Sequence, residues 1–318
     1  MAAAVWLATG AAALGCGARN KELAVGGGGG SGGATGGVGS GGASCQHLDI
    51  VVALDDSSSM EEEQKALRTT VLPAFVRGLR ADLPMLQDFR AAVIDACPTP
   101  ANFHVRGDGG PCAFAGGQPW MESRSPSLED ELRCVGDVYS GDAACPGNND
   151  NEQPASAAAT ALESPAQAPG GPNDGFLRSG AVLVVVAATD EDEQPVPGRT
   201  AREVYERLIA VKGNAVERMV FVGIGATKSC EGPYGSAEPA SKLKDIADLF
   251  ADHGRGVFWD LCAGKLEDDL DDVLGVIKGA CADVVPPSCP TGATVCGARS
   301  DCPTGTYCVS RCCLPRTR

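Results

Sequence analysis

Aromatic residues make up only 5% of this 318-residue chain, and histidine occurs three times, at His47, His104 and His253. So few rings, set against 42 glycines, mean that part of the length is not packed core. Basic side chains are also scarce, 26 against 41 acidic ones, for a net charge of -15. Such a chain repels phosphate backbones and anionic headgroups, which argues against nucleic acid or a lipid surface as partner. Beyond the N-terminal segment no apolar run approaches the ~18 residues that read as a bilayer span, so no membrane-crossing helix is expected. The histidines lie far apart and none sits in a ligand cluster, which removes the usual zinc arrangement.

Cysteine, by contrast, is abundant. Fifteen are spread along the chain, and an oxidising compartment would turn so many thiols into bridges. Residues 1–16, MAAAVWLATGAAALGC, are apolar and end in small residues, the form of an export signal. The ending Ala13-Leu14-Gly15-Cys16 resembles the lipobox of bacterial lipoproteins, and the resemblance implies lipidation of Cys16. Setting Cys16 aside leaves fourteen cysteines of the fifteen, an even number that permits full pairing. Residues 17–44 hold a Gly/Ser-rich run with few side chains to bury, so they read as a flexible tether. Gly17, directly after the cysteine, is not a retention signal of the Asp type. The implied location is therefore the outer membrane or cell surface, with the periplasm as the alternative.

From residue 45 onward strand and helix patterns alternate. Leu48–Leu54 is a short apolar strand, and Leu67, Val71, Phe75, Leu79 and Leu83 mark a helix over 60–83 in which Pro73 threatens a kink. Residues 89–94 form a second strand, followed by a long irregular stretch holding Cys97, Cys112, Cys134 and Cys145. An alanine-rich helix is expected over 154–163. The uninterrupted run Ala181–Ala188 reads as a central parallel strand. Helices over 200–211 and 241–250, strands over 219–224 and 256–259, and a closing helix carrying Leu266 to Ile277 complete the pattern. The class is α/β with a doubly wound, mostly parallel sheet. Residues 284–318 form a separate tail in which six cysteines, from Cys289 to Cys313, stand where a core would be too small.

Chemistry is expected where strands end. Asp55-Asp56-Ser57-Ser58-Ser59 follows the first strand and Asp190 follows the central one. In a doubly wound sheet both emerge at the edge where ligands bind. Carboxylates with small hydroxyls suit a hard cation, Mg²⁺, Mn²⁺ or Ca²⁺. Capping of the next helix by Asp55 or Ser57 is the bland reading of the same residues.

Residues 48–60, LDIVVALDDSSSM, are similar to the first strand and metal motif of von Willebrand factor A-type domains, whose Asp-x-Ser-x-Ser falls here on Asp55, Ser57 and Ser59. The resemblance covers about residues 45–283 and assigns Asp190 as the second carboxylate. The family's threonine from a middle loop is missing from residues 147–153, and Asn151 or Glu152 is the candidate replacement. The resemblance implies a protein-binding or adhesion module without turnover, whose exposed cation is completed by an acidic side chain of the partner. A metal-dependent hydrolase or phosphoryl-transfer enzyme is the alternative, although no Gly-x-Ser-x-Gly elbow follows a strand and no Walker-type loop is present. A structural surface protein with a degenerate site is the third reading. Because domain ends lie close together, Cys45 is expected to pair with Cys281. Order along the chain suggests Cys97–Cys112, Cys134–Cys145 and Cys230–Cys262.

Overall fold

The computed structural model describes residues 46–283, apart from 85, 108, 139–151, 194–198, 233, 265–266 and 268–269, together with 302–303, 306–309 and 312–315. Its centre is a six-stranded sheet. In chain order the strands are β1 (His47–Leu54), β2 (Asp88–Asp95), β5 (Met121–Glu122), β6 (Val182–Ala188), β7 (Met219–Gly225) and β10 (Gly256–Asp260). In space they run β5-β2-β1-β6-β7-β10. All neighbours pair parallel except the edge strand β5, which is antiparallel to β2. Two short hairpins lie outside the sheet, β3–β4 (Arg106–Gly107 with Gly110–Pro111) and β8–β9 (Cys230–Gly232 with Gly235–Ala237).

Parallel strands need helical crossovers, and these cover both faces. Alternation along β1 shows the division: Leu48, Ile50, Val52 and Leu54 enter one core, Val51 and Ala53 the other. The first core is covered by α2 (Leu72–Asp82), which the short α1 (Glu61–Ala66) precedes, and by α3 (Leu128–Val135) and α7 (Leu270–Asp283). The second is covered by α4 (Pro154–Leu162), α5 (Ala201–Val211) and α6 (Ser241–Ala251). Strand β6 is buried along its whole length, as its unbroken apolar run predicts.

The kink expected at Pro73 takes a particular form. Leu67–Val71 between α1 and α2 is a π-turn, in which Leu72 N–H donates to the Leu67 carbonyl. Pro73 then falls in the first turn of α2, where its missing N–H is tolerated. The widened turn keeps Leu67, Val71, Leu72 and Phe75 buried together.

Two expected disulfides are corrected. Cys112 pairs with Cys134, so neither Cys97–Cys112 nor Cys134–Cys145 forms. The stretch after β2 folds back over α3: Ala115 N–H donates to Glu131 of that helix. Gly107 also packs so close that a Cβ there would meet the Cys134 carbonyl at 2.1 Å. Cys112 therefore lies over α3, a helix that the irregular sequence does not announce. Cys230–Cys262 is found as expected, and Cys302–Cys313 closes part of the tail. Cys97 and Cys281 are also disulfide-bonded, whereas Cys16, Cys45 and Cys145 lie outside the described residues.

Candidate metal centre

The strand order reverses between β1 and β6, and a sheet of this kind opens a crevice at the carboxyl ends of those two strands. The residues just past them are Asp55 and Thr189-Asp190. Asp55 is fully buried, and Asp190 is 5% exposed. The first loop is held by its own hydrogen bonds: Ser57 N–H donates to Asp55 Oδ1 at 2.8 Å, and the Ser57 and Ser59 hydroxyls meet at 2.9 Å. Ser59 also hydrogen-bonds Asp190, which joins the two loops. Gln64 Nε2 donates to the Asp55 carbonyl at 2.6 Å. Ser57 is half-buried and Ser59 exposed, so the hydroxyls mark the mouth and the carboxylates the floor.

The electrostatics are those of gathered anions. Burial pushes Asp55 up to about 7, against hydrogen bonds from Thr189 and Ser57 and with help from the Asp190 charge. Asp190 is raised, first by burial. Glu152, immediately before α4, is held far above the carboxylate range by burial, by its hydrogen bond to Glu191, and by the Asp55 and Asp190 charges. The structure thus brings Glu152 beside the Asp55 and Asp190 carboxylates. Asn151, the other candidate, lies outside the described residues. Thr160 is not a substitute, since its hydroxyl donates to the Ser156 carbonyl and accepts from Arg207.

Sequence reasoning missed two participants. Thr189 Oγ1 donates to Asp55 Oδ2 at 2.7 Å. Glu63, in the first turn of α1, is 1% exposed and is pushed up to about 7 by burial and by the neighbouring acids. A signal for it exists in the chain: Met60, Glu63, Gln64 and Leu67 share a helical face, and two of the four are polar.

The stretch 189–193, TDEDE, is employed throughout. Besides Thr189 and Asp190, Asp192 accepts from Lys242 N–H in the first turn of α6 at 2.8 Å. Glu193 accepts from Ala155 N–H at 2.7 Å and Ser156 Oγ at 3.1 Å in the first turn of α4, with the Lys242 ammonium 2.8 Å away. The helix that follows Glu152 is thereby fixed against the Asp190 loop.

A divalent cation fits this donor set. The oxygens are hard, and Asp190 Oδ1 and Glu63 Oε2 are buried with no hydrogen-bond partner, a costly state for carboxylates unless something positive compensates. A neighbouring group is a poorer candidate. Asp56, Asp95 and Cys97 bring one potential ligand atom each within 4.8 Å of one another. Cys97, however, is in a disulfide, and Asp95 is taken up by His104 Nε2 at 2.8 Å and Cys97 N–H at 2.9 Å.

Counted in chain order, the six sheet strands lie 3-2-1-4-5-6 with the third antiparallel, and Asp-x-Ser-x-Ser leaves the first of them. The fold is of the von Willebrand factor A type. No sequence-family model and no curated protein matches the chain. Among solved structures, the chain is similar to proximal thread matrix protein 1 from the mussel byssus in its zinc-occupied MIDAS form (17% identity, 74% of this chain and 46% of that one, TM-score 0.38). It is also similar to manganese-loaded TRAP protein of Plasmodium vivax (14%, 74% and 74%, TM-score 0.35). A third is the pilus adhesin SpaC from Lactobacillus rhamnosus GG (14%, 74% and 30%, TM-score 0.36). The chain spans about half the length of the mussel protein.

Proposed function

We propose that the A-type domain is an exported, surface-tethered binding module that recognises a protein partner through a divalent cation, Mg²⁺ or Mn²⁺ before Ca²⁺, without turning it over. Asp55, Ser57, Ser59 and Asp190 would hold the cation, with Glu152 supplying the third loop's oxygen. A bound hard cation neutralises the floor of the crevice and offers an open coordination position to an oxygen of the partner, a carboxylate in the simplest case. The observation that carries this reading is the pair Asp55 and Asp190, two buried carboxylates at the switch point, joined through hydroxyls that reach the surface. Disulfides in the described part support export, and the implied lipid on Cys16 would supply the tether.

The test is thermal unfolding of the full chain after EDTA treatment. Millimolar Mg²⁺ or Mn²⁺ should raise the midpoint of the wild type and leave Asp55→Ala unmoved, because a ligand that binds only the folded state stabilises it by mass action. Calorimetry should count one site. No binding to the wild type sinks the proposal.

One observation favours a hydrolase as the second reading: the His104–Asp95 pair stands beside Asp56, next in sequence to Asp55. Phosphatase or esterase activity lost in His104→Ala would establish it over simple binding.

A further inference from the structure

Glu63 stands one helical turn beyond Ser59, on the same side of the helical run, since residues four apart share a face. Ser59 bonds Asp190, so this face is turned to the crevice. Glu63 is 1% exposed, yet its Oε2 has no hydrogen-bond partner. The charges that act on it most are those of Asp190, Glu62 and Asp55. Every one is an anion.

The opposite side is sealed by the β8–β9 hairpin. A Cβ at Gly235 would stand 2.6 Å from Glu63 Oε1, and Gly235 has φ +143°, a conformation that side chains rarely adopt. Backbone therefore lies directly over the carboxylate. The hairpin is held there by Cys230–Cys262. A glutamate kept for the fold would have a lysine, an arginine or a ring of N–H donors around it, as Asp49 has in Arg178 and Lys212. Glu63 has a closed lid, two aspartates and its own backbone N–H, and that donor leaves Oε2 unmet. An unpaired buried carboxylate in that setting is costly, and Asp190 repeats the pattern with its own unpartnered Oδ1.

We propose that Glu63 is a third carboxylate of the cation pocket, placed to be neutralised by the ion and not to hold the fold. This rests on the cation reading above. Asp55, Glu63 and Asp190 do not bring their oxygens within 4.8 Å of one another as a set. Glu63 is thus a positioning residue, acting on the ion by its charge and through water held between them. It makes the pocket more acidic than the Asp-x-Ser-x-Ser motif alone provides, and it extends the pocket beneath the hairpin.

The experiment uses the full chain and Mn²⁺ alone as probe, comparing wild type, Glu63→Gln and, as a control, Glu62→Gln on the exposed side of the same turn. Glutamine keeps the size, removes one charge, and donates where the carboxylate could only repel. Cation-free Glu63→Gln should melt above the cation-free wild type while its Mn²⁺ affinity falls about tenfold or more. Glu62→Gln should change affinity by less than about threefold, as exposed and screened charges do. A merely structural glutamate would lower the cation-free melting point on removal, and that result, including outright failure to fold, overturns the inference. So does unchanged affinity in Glu63→Gln when the wild type binds. Absence of Mn²⁺ binding in the wild type overturns the cation reading itself, and this inference with it.

Discussion

Thr189 Oγ1 lies 2.7 Å from Asp55 Oδ2 and donates its proton to it, joining the end of β6 to the end of β1 across the switch point. Asp55 Oδ1 is already engaged by Ser57 N–H, so the two contacts fix the carboxylate at both oxygens. Thr189→Val keeps the shape and removes the donor. Stability should fall by about 1.5–3 kcal/mol, the range for hydrogen bonds to charged groups. Mn²⁺ affinity should fall as well, because Asp55 is then free to rotate. Urea unfolding and calorimetry read the two effects separately, and an unchanged affinity would show that Asp55 needs no such positioning.

Glu193 offers a stronger effect at a greater distance from the cation. It is 3% exposed and serves both the first turn of α4 and Lys242. Glu193→Ala leaves the ammonium buried without its partner, which should cost about 3–5 kcal/mol. Because Glu152 lies two residues before α4, cation affinity should drop in a variant that still folds. Stability loss with full affinity would separate α4 from the site.

Much of the fold was legible because parallel strands buried on both faces read as unbroken apolar runs, and β1, β6 and β7 stand out for that reason. The segment between Cys97 and Cys145 was not. There α3 presents Glu129, Asp130 and Glu131 in its first turn and buries only four residues, too few for a periodic signal. Its position is set by Cys112–Cys134 and by Glu131, which collects Ala115 N–H and the hydroxyls of Ser125 and Ser127. At the site, Asp55 and Asp190 were visible because they terminate strong strands. Thr189 was hidden because its role depends on a strand 134 residues earlier, a distance only the β1–β6 register reveals.

The Cys112–Cys134 bridge gives a further prediction. Its sequence separation is 22, for which loop-closure entropy suggests about 3 kcal/mol of stabilisation. Replacing both cysteines by alanine should lower the unfolding midpoint accordingly and expose residues 103–117 to proteolysis first. Limited digestion with mass mapping checks it; equal resistance in the two proteins would mean that α3 holds the loop without the bridge.

At the other end of the sheet lies a pH dependence of known sign. Burial pushes the Lys212 amine down to about 8 from its ordinary 10.5, against the attraction of Asp49. Between those values the unfolded chain binds more protons than the folded one. Stability contributed at this position therefore rises with pH from about 8, by at most about 1.4 kcal/mol per pH unit. Lys212→Met should flatten the rise. Denaturant midpoints at pH 7.5, 8.5 and 9.5 compare the slopes, and parallel curves for the two proteins would refute the assignment.

The run Thr189-Asp190-Glu191-Asp192-Glu193 leaves no position spare. Successive side chains serve Asp55, the crevice, Glu152, α6 and α4. Substitution at any one of them disturbs only the contacts of that side chain. Insertion or deletion of a single residue would instead move every later side chain to the wrong neighbour, parting both helices from the loop together. Length, more than composition, is what this segment cannot vary. Engineered loop grafts on this face would have to begin after residue 193.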